Sequence, residues 1–274
     1  LLNFSFTQSQ YDYSFFFHKS PTGIVLILVY VDDLIITGTD NGLITKLQAV
    51  LHATFCMKDL GQLTYLLGLE VHHRSNGIYL NQHKDIQDLI TLVGLEGTTS
   101  INTPMEVNVK YRKDEGDLLA DPTIYRRSVG SFIYLTTTQP DISYVVHQVN
   151  QFMSSPRHLH FVVVRRIICY LIGSLTRGLF FPRGSPLQLL AYSDAARCLY
   201  TRRSTTGWCM FLGGVFISWK CKKQDRVSKS STEVEYRSMS SSCSKIVWLR
   251  SLLEELEFSR PDSTPLHANN TSTI

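Results

Sequence analysis

No run of about 18 uncharged apolar residues occurs in this sequence, so no segment of it is expected to cross a membrane as a helix. It has neither an initiator Met nor a basic segment leading to a cleavage site. It opens LLNFSFTQSQ, which argues against a secretory signal and points to a piece of something longer. No CxxC pair and no Cys/His cluster at zinc-ligand spacing is present. Cys56, Cys169, Cys198, Cys209, Cys221 and Cys243 are scattered, the pattern of reduced thiols in an intracellular setting. The histidine pairs His72–His73 and His158–Leu159–His160 stand alone, as surface polar residues usually do. A net charge of +4 is too mild by itself to name a partner. What remains is ordinary globular material: 43% hydrophobic residues over 274 positions, enough for one large domain or two modest ones with real cores.

The chemistry concentrates in Ile24 to Gly38, IVLILVYVDDLIITG. An apolar run, Ile24 to Val31, meets two adjacent carboxylates, Asp32 and Asp33, and a second apolar run, Leu34 to Ile36, follows at once. Runs this rich in Val, Ile and Leu predict buried strands, with the aspartate pair at the hairpin turn. Asn-Gly or Asp-Gly is the ordinary turn choice. Two aspartates between core strands repel and desolvate each other unless something positive sits between them, and a divalent metal, Mg²⁺ foremost, meets that need. The spacing fits a solvent-exposed acidic turn equally well.

The flanking chain reads as alternating strands and helices. An aromatic strand region runs to His18 and turns at Pro21–Gly23. Asp40 then offers an N-cap to a helix carrying Leu43, Leu47, Val50, Leu51 and Phe55, which should pack on the back of the hairpin. Residues 57–71 predict a turn and a strand with Gly68 inside it, inviting close backbone approach. Gly77–Leu80 is another strand, and a helix from His83 carries Ile86, Leu89, Ile90 and Val93 and is closed by Gly94. Residues 96–122 are polar and read as a linker. Three helices follow, around Tyr125–Gly130, over Ile142–Phe152, and over Arg157–Ile172. From Pro186 the texture changes to strands, with Gly213–Gly214 as a hairpin turn. A long helix from Thr232 to Leu256 follows, with Thr232 and Glu235 as capping box and Tyr236, Met239, Cys243, Val247 and Leu253 as its buried side. Between Ala191 and Ser230 eight basic residues, Arg202, Arg203, Lys220, Lys222 and Lys223 among them, face only two acids. This local charge of +6 suits a polyanion.

LVYVDDLIITG resembles the signature of reverse transcriptases of Ty1/copia-type LTR retrotransposons, in which such a hairpin carries catalytic, metal-binding aspartates at the floor of the polymerase palm. KDLG…LLGLEV is similar to that family's primer-grip segment, which would place Leu67 and Gly68 against the primer end. The helix from His83 would then belong to the thumb. YRRSVGSFIYLT and PDISY resemble the family's connection, although Gln139 stands where an Arg is usual. AYSDA…TRRSTTGWCMFLGG…ISWKCKKQ…VSKSSTEVEYRSMS resembles the RNase H domain of the same elements, with Asp194 matching its first catalytic acid and Glu235 its second.

The resemblance implies an α/β (α+β) chain in three parts. Residues 1–95 would be a partial palm and thumb, 96–180 a linker and helical connection, and 181–274 an RNase H-like mixed sheet with helices. It implies RNA-directed DNA synthesis and hydrolysis of RNA in RNA–DNA hybrids. Two-metal sites for Mg²⁺ or Mn²⁺ would involve Asp32, Asp33, Asp194 and Glu235. The implied partners are a template-primer or hybrid and deoxynucleotides, in cytoplasm or nucleus. Several departures lead us to expect an inactive chain that at most binds nucleic acid. Tyr192–Cys198 is two residues shorter than the family's YSDADWAGC. Asn269 replaces the third acid, and a further acid would lie past Ile274. The third palm aspartate and the fingers would lie upstream of Leu1.

Overall fold

The computed structural model describes residues 1–106, 112–197, 202–258 and 261–269. They form a mixed α/β (α+β) arrangement that divides into two compact units, one of Leu1–Leu63 with Val247–Asp262, the other of Thr64–Ile246 with the segment from Ser263. No helix among them is long and apolar enough to cross a membrane.

The first unit is a four-stranded antiparallel sheet, β1 (Thr7–Gln8), β2 (Phe15–Ser20), β3 (Gly23–Tyr30) and β4 (Asp33–Gly38), in sequence order, with helix α1 (Asn41–Phe55). Val25 and Ile27, two residues apart on β3 and therefore on one face, are fully buried with Phe6 and Leu47. Leu43, Ile44 and Leu51 pack around them, so the apolar stripe of α1 does cover the hairpin, as its spacing predicts. Phe55 is the exception. It closes the helix immediately before Cys56 takes up the left-handed C-cap conformation, and it is exposed.

Asp40 caps α1, accepting a hydrogen bond from the Leu43 N–H at 3.0 Å and two more from the Thr22 and Ser20 hydroxyls. The Thr22 hydroxyl foremost, then the Leu43 N–H and the Ser20 hydroxyl, hold its carboxyl down at about 2. A depressed carboxyl stabilises the fold fully above its unfolded value, and that contribution is lost as pH falls from 3.8 toward about 2. Acid titration of the helical circular dichroism should therefore show a loss of helix in that window. It should be weaker in Asp40→Asn, which keeps a capping oxygen without the charge.

The second unit opens with β5 (Tyr65–Leu66), β6 (Leu69–Arg74) and β7 (Gly77–Asn81), followed by α2 (His83–Val93), which Gly94 ends in the left-handed C-cap role. After residues 96–122, which hold neither helix nor strand among those described, come α3 (Thr123–Leu135), α4 (Ser143–Asn150) and α5 (His158–Ile172). Then come β8 (Leu179–Pro182), β9 (Leu189–Arg197), β10 (Ser204–Leu212), β11 (Val215–Lys223), α6 (Ser231–Glu255) and β12 (Leu266–Ala268). α6 belongs to this unit through Ile246 and to the first from Val247.

One core, built from Ile86, Tyr125, Phe132, Ile142, Val164 and Ile167 among others, joins α2 to the three helices of the connecting region. β7 pairs with β8, completing the sheet β5-β6-β7-β8. The unit boundary at Leu63–Thr64 thus falls inside residues 1–95, because α2 and β7 find their partners farther along the chain. The other sheet has the order β11-β10-β9-β12, antiparallel except for the parallel β9–β12 pair.

Two local expectations need correction. Gly68 is not inside a strand. Leu67 (φ 49) and Gly68 (φ 79) form the two-residue hairpin turn between β5 and β6, and two successive positive φ values are what a type I′ turn requires. The close approach does occur: a Cβ at Gly68 would lie 2.8 Å from Tyr134 Cε1 and 2.9 Å from Asp85 Oδ2.

The start of α6 is also shifted. Ser230, not Thr232, caps it, its hydroxyl accepting from the Glu233 N–H at 3.1 Å, while the Glu233 carboxylate accepts from the Lys229 N–H at 2.8 Å. The buried side of α6 is Val234, Glu235, Ser238, Ser242 and Ile246, whereas Tyr236, Cys243 and Val247 are exposed. Small serines let the helix lie close on the sheet. Ser238 meets Ser193 at 2.8 Å and donates to the Asp194 carbonyl at 2.8 Å, an approach that the bulky residues of the apolar stripe would prevent.

Candidate nucleic-acid and metal site

β9 carries Asp194 on its exposed side, and α6 brings Glu235 up from the other face of the sheet. Because Ser230 and Glu233 perform the capping, Glu235 has no part in it. It is only 7% exposed, and its Oε2 is buried with no hydrogen-bond partner. Burial, and secondarily the nearby Asp194 carboxylate, push its carboxyl above the usual range. A buried carboxyl oxygen without a partner, with a second carboxylate near enough to raise its pKa, is costly to keep as structure alone.

β12 runs parallel to β9 with Ala268 opposite Ser193, so the next residue, Asn269, comes beside Asp194, and both line one groove. Asp194 and Asn269 offer a carboxylate and an amide oxygen there, donors of the kind Mg²⁺ or Mn²⁺ takes but short in charge, and Glu235 is not among the residues lining that groove. No group of three or more His, Cys, Asp or Glu side chains suited to a metal occurs among the described residues. Cys198 and Asn270 lie outside those residues.

In the other unit, the β3–β4 hairpin presents Asp32 and Asp33. The turn differs by one residue from the expected position: Tyr30 pairs with Asp33, so Val31–Asp32 is the two-residue loop and Asp33 is the first residue of β4. Both carboxylates are exposed. Val31 has φ 51 and is 83% exposed, an uncommon conformation for a β-branched side chain, in a position where glycine is the ordinary occupant. Leu67, 43% exposed at positive φ, repeats the pattern. The hairpin joining β10 and β11 uses Gly213 and Gly214 at the same kind of turn. Non-glycine residues at positive φ thus sit at the Val31–Asp32 and Leu67–Gly68 turns, whereas the Gly213–Gly214 turn is relaxed.

The basic residues fall along one edge. β11 is an edge strand, with Lys220 and Lys222 exposed on it, and Arg202 and Arg203 exposed just before β10. Lys223 donates to Gln151 Oε1 at 2.6 Å. His147 on α4 lies close by. Burial first, then the positive charges of Lys223 and Lys222, lower its pKa. Aromatic residues that the sequence pattern did not single out, Tyr144, Tyr192, Trp219 and His267, line the same groove as Asp194. Their only signal was alternation along the strands.

The family described as reverse transcriptase (RNA-dependent DNA polymerase) matches residues 1–107. The chain is 41% identical over 258 residues to the retrovirus-related Pol polyprotein from transposon RE1 of Arabidopsis thaliana, covering 93% of this chain and 18% of that protein. It is 32% identical over 255 residues to the Pol polyprotein from transposon TNT 1-94 of Nicotiana tabacum, covering 88% of this chain and 19% of that protein. It is also 38% identical over 224 residues to an uncharacterized mitochondrial protein of Arabidopsis thaliana, covering 81% of this chain and 93% of that protein. No solved structure matches. The chain spans about a fifth of the length of the Pol polyproteins it resembles. With the YVDD hairpin in place and similarity running through nearly all its length, the chain belongs to the copia-type retrotransposon Pol family, and its first part to the reverse transcriptases.

Proposed function

We propose that this chain is a reverse transcriptase segment joined to an RNase H-like module, and that it engages an RNA–DNA hybrid or template-primer without turning it over. The observation that carries the reading is the Asp194–Glu235 pair, a buried unpartnered carboxyl beside a second carboxylate at the end of a strand whose neighbour supplies Asn269. A strand acid and a helix acid meeting in this way are what hybrid hydrolysis assisted by two metals requires. With an amide in the third position, the site holds Mg²⁺ or Mn²⁺ weakly. When bound, the metal would supply charge neutralisation at a phosphodiester. Asp194 and Glu235 hold it, Asn269 offers a neutral oxygen, and Arg202, Arg203, Lys220, Lys222 and Lys223 position the phosphate backbone. In the hairpin, Asp32 and Asp33 are the metal-holding carboxylates of the polymerase part, and Leu67–Gly68 supports the primer end. Deoxynucleotides are substrates of the intact family.

The test combines hybrid binding, primer extension and hybrid cleavage with Mg²⁺ or Mn²⁺, using Asp32→Asn and Glu235→Gln as controls. Hybrid binding that weakens steeply with salt, with no turnover, is the expected result. Turnover abolished by either control would show a working enzyme instead. Changing Arg202, Arg203, Lys222 and Lys223 together to Ser should flatten the salt dependence by about 0.9 in log–log slope for each phosphate that the variant no longer neutralises. An unchanged slope would make this edge an ordinary solvated surface.

A further inference from the structure

We propose that the groove on the open face of the β11-β10-β9-β12 sheet is a seat for the unpaired bases of a single nucleic-acid strand. The proposal rests on the reading that this chain handles nucleic acid, and it goes beyond the metal site and the basic edge.

The two faces of this sheet are built differently. One carries Ala191, Ser193 and Met210, all buried, and is closed by α6 through the Ser193–Ser238 hydrogen bond. The other carries a run of rings across all four strands. His267 on β12 stacks on Tyr192 of β9 with centroids 5.0 Å apart and planes 25° apart. Tyr192 meets the edge of Phe211 on β10 at 5.8 Å, Phe211 lies 4.1 Å from Phe216 on β11, and Phe216 meets Trp219 edge-on at 6.0 Å. Trp219 is fixed in plane by its indole N–H, which donates to the Thr136 carbonyl at 2.9 Å. Tyr192, Phe216, Trp219 and His267 line a groove of about 830 Å³ together with Pro140, Asp141 and Tyr144. That is within the range of roughly 300–1,000 Å³ usual for ligand sites. Tyr144 and Tyr192 are each 44% exposed.

Charge selects the occupant. Asp141 is already engaged by Arg177 at 3.4 Å and by the Tyr170 hydroxyl, which leaves Asp194 as the exposed carboxylate at the β9–β12 end of the groove, beside Asn269. Lys220 lines the groove, and Lys222 continues the positive edge along β11. Exposed π-faces beside a row of cations are what a single strand requires, its bases stacking on the rings and its phosphates tracking the lysines. Bases in a duplex have their faces covered and cannot enter. The groove therefore distinguishes an unpaired end from the paired hybrid.

The test uses the full chain and an oligodeoxythymidylate of about ten nucleotides, comparable to single-strand site sizes. Binding is followed by tryptophan fluorescence. An abasic strand of the same length is the control, and hybrid binding is measured on the same samples. Saturable quenching is expected, with affinity at least about fivefold lower in Tyr192→Leu and in Tyr144→Leu, since base–aromatic stacking contributes about 1–3 kcal/mol per base. Leucine keeps apolar area but removes the π-face, so a polypeptide occupant would tolerate it where a base would not. The two tyrosines lie on different elements and are partly exposed, so loss of fold does not explain a shared effect. Equal affinity of both leucine variants, or abasic strand binding as tightly as oligodeoxythymidylate, would overturn the proposal. Hybrid binding retained in that event would leave the broader reading standing. Loss of hybrid binding with ring-dependent oligonucleotide binding intact would remove the broader reading and leave the groove.

Discussion

Asn269→Asp should tighten Mn²⁺ binding by about tenfold or more, because affinity at oxygen-ligand sites follows the number of charged ligands. The new carboxylate comes beside Asp194 across the parallel β9–β12 pair, and Glu235 on α6 has an unpartnered oxygen. Without metal the same change should destabilise the fold, since three acids would then repel. The pH dependence has a definite sign. Glu235 has a raised carboxyl, so the folded state binds its proton more tightly than the unfolded state does. Stability at this position is therefore greatest at low pH and falls as pH rises through and above 4.5. Glu235→Gln should remove that slope and raise metal-free stability at neutral pH by about 1 kcal/mol, the scale of an unsatisfied buried polar group. It should also abolish the rise in melting temperature expected for the parent chain with Mn²⁺. Thermal denaturation of the three proteins with and without Mn²⁺, across pH 4 to 8, measures all of this. An Asn269→Asp protein with unchanged Mn²⁺ affinity would mean that the strand ends do not form a common site.

Most of the secondary structure was legible because its signals are local. The apolar runs around Asp32, the Asp40 cap, Gly94 closing α2 and the Gly213–Gly214 turn each lie within a few residues of what they determine. The misreadings share one physical cause, which is that tertiary packing chose among local options of similar merit. For α6, two S/T-x-x-E registers were available, and hydrophobic periodicity favoured burying Tyr236 and Val247. The sheet instead selected a serine stripe that allows close approach and satisfies its hydroxyls on β9. That choice changes the meaning of Glu235, which as a capping residue would be explained by the helix and as an uncapped buried acid is not. The aromatic groove was illegible for another reason. Its rings come from four strands and helix α4, spread over more than a hundred residues, and the β11-β10-β9-β12 order brings the strand rings together.

Gly68→Ala should destabilise the second unit by about 1–3 kcal/mol. The left-handed backbone at φ 79 costs an L-residue roughly 1–2 kcal/mol, and overpacking adds the remainder. The added methyl would meet Tyr134 Cε1 at 2.8 Å on α3 and Asp85 Oδ2 at 2.9 Å on α2, so one of these side-chain tips must shift. Leu67→Asn is the informative partner. Asparagine tolerates positive φ better than leucine, so this variant should be as stable as the parent or more so by several tenths of a kcal/mol. If Leu67 is retained because it touches nucleic acid, the same variant should bind template-primer more weakly despite its stability. Urea denaturation and template-primer titration of both variants separate the two roles. A fall in both stability and binding in Gly68→Ala, with a fall in binding alone in Leu67→Asn, would make the strained leucine a functional residue that the fold tolerates. Unaltered binding in Leu67→Asn would leave the turn a purely structural one. The same comparison applies to Val31, the other exposed apolar residue at positive φ, whose turn carries Asp32.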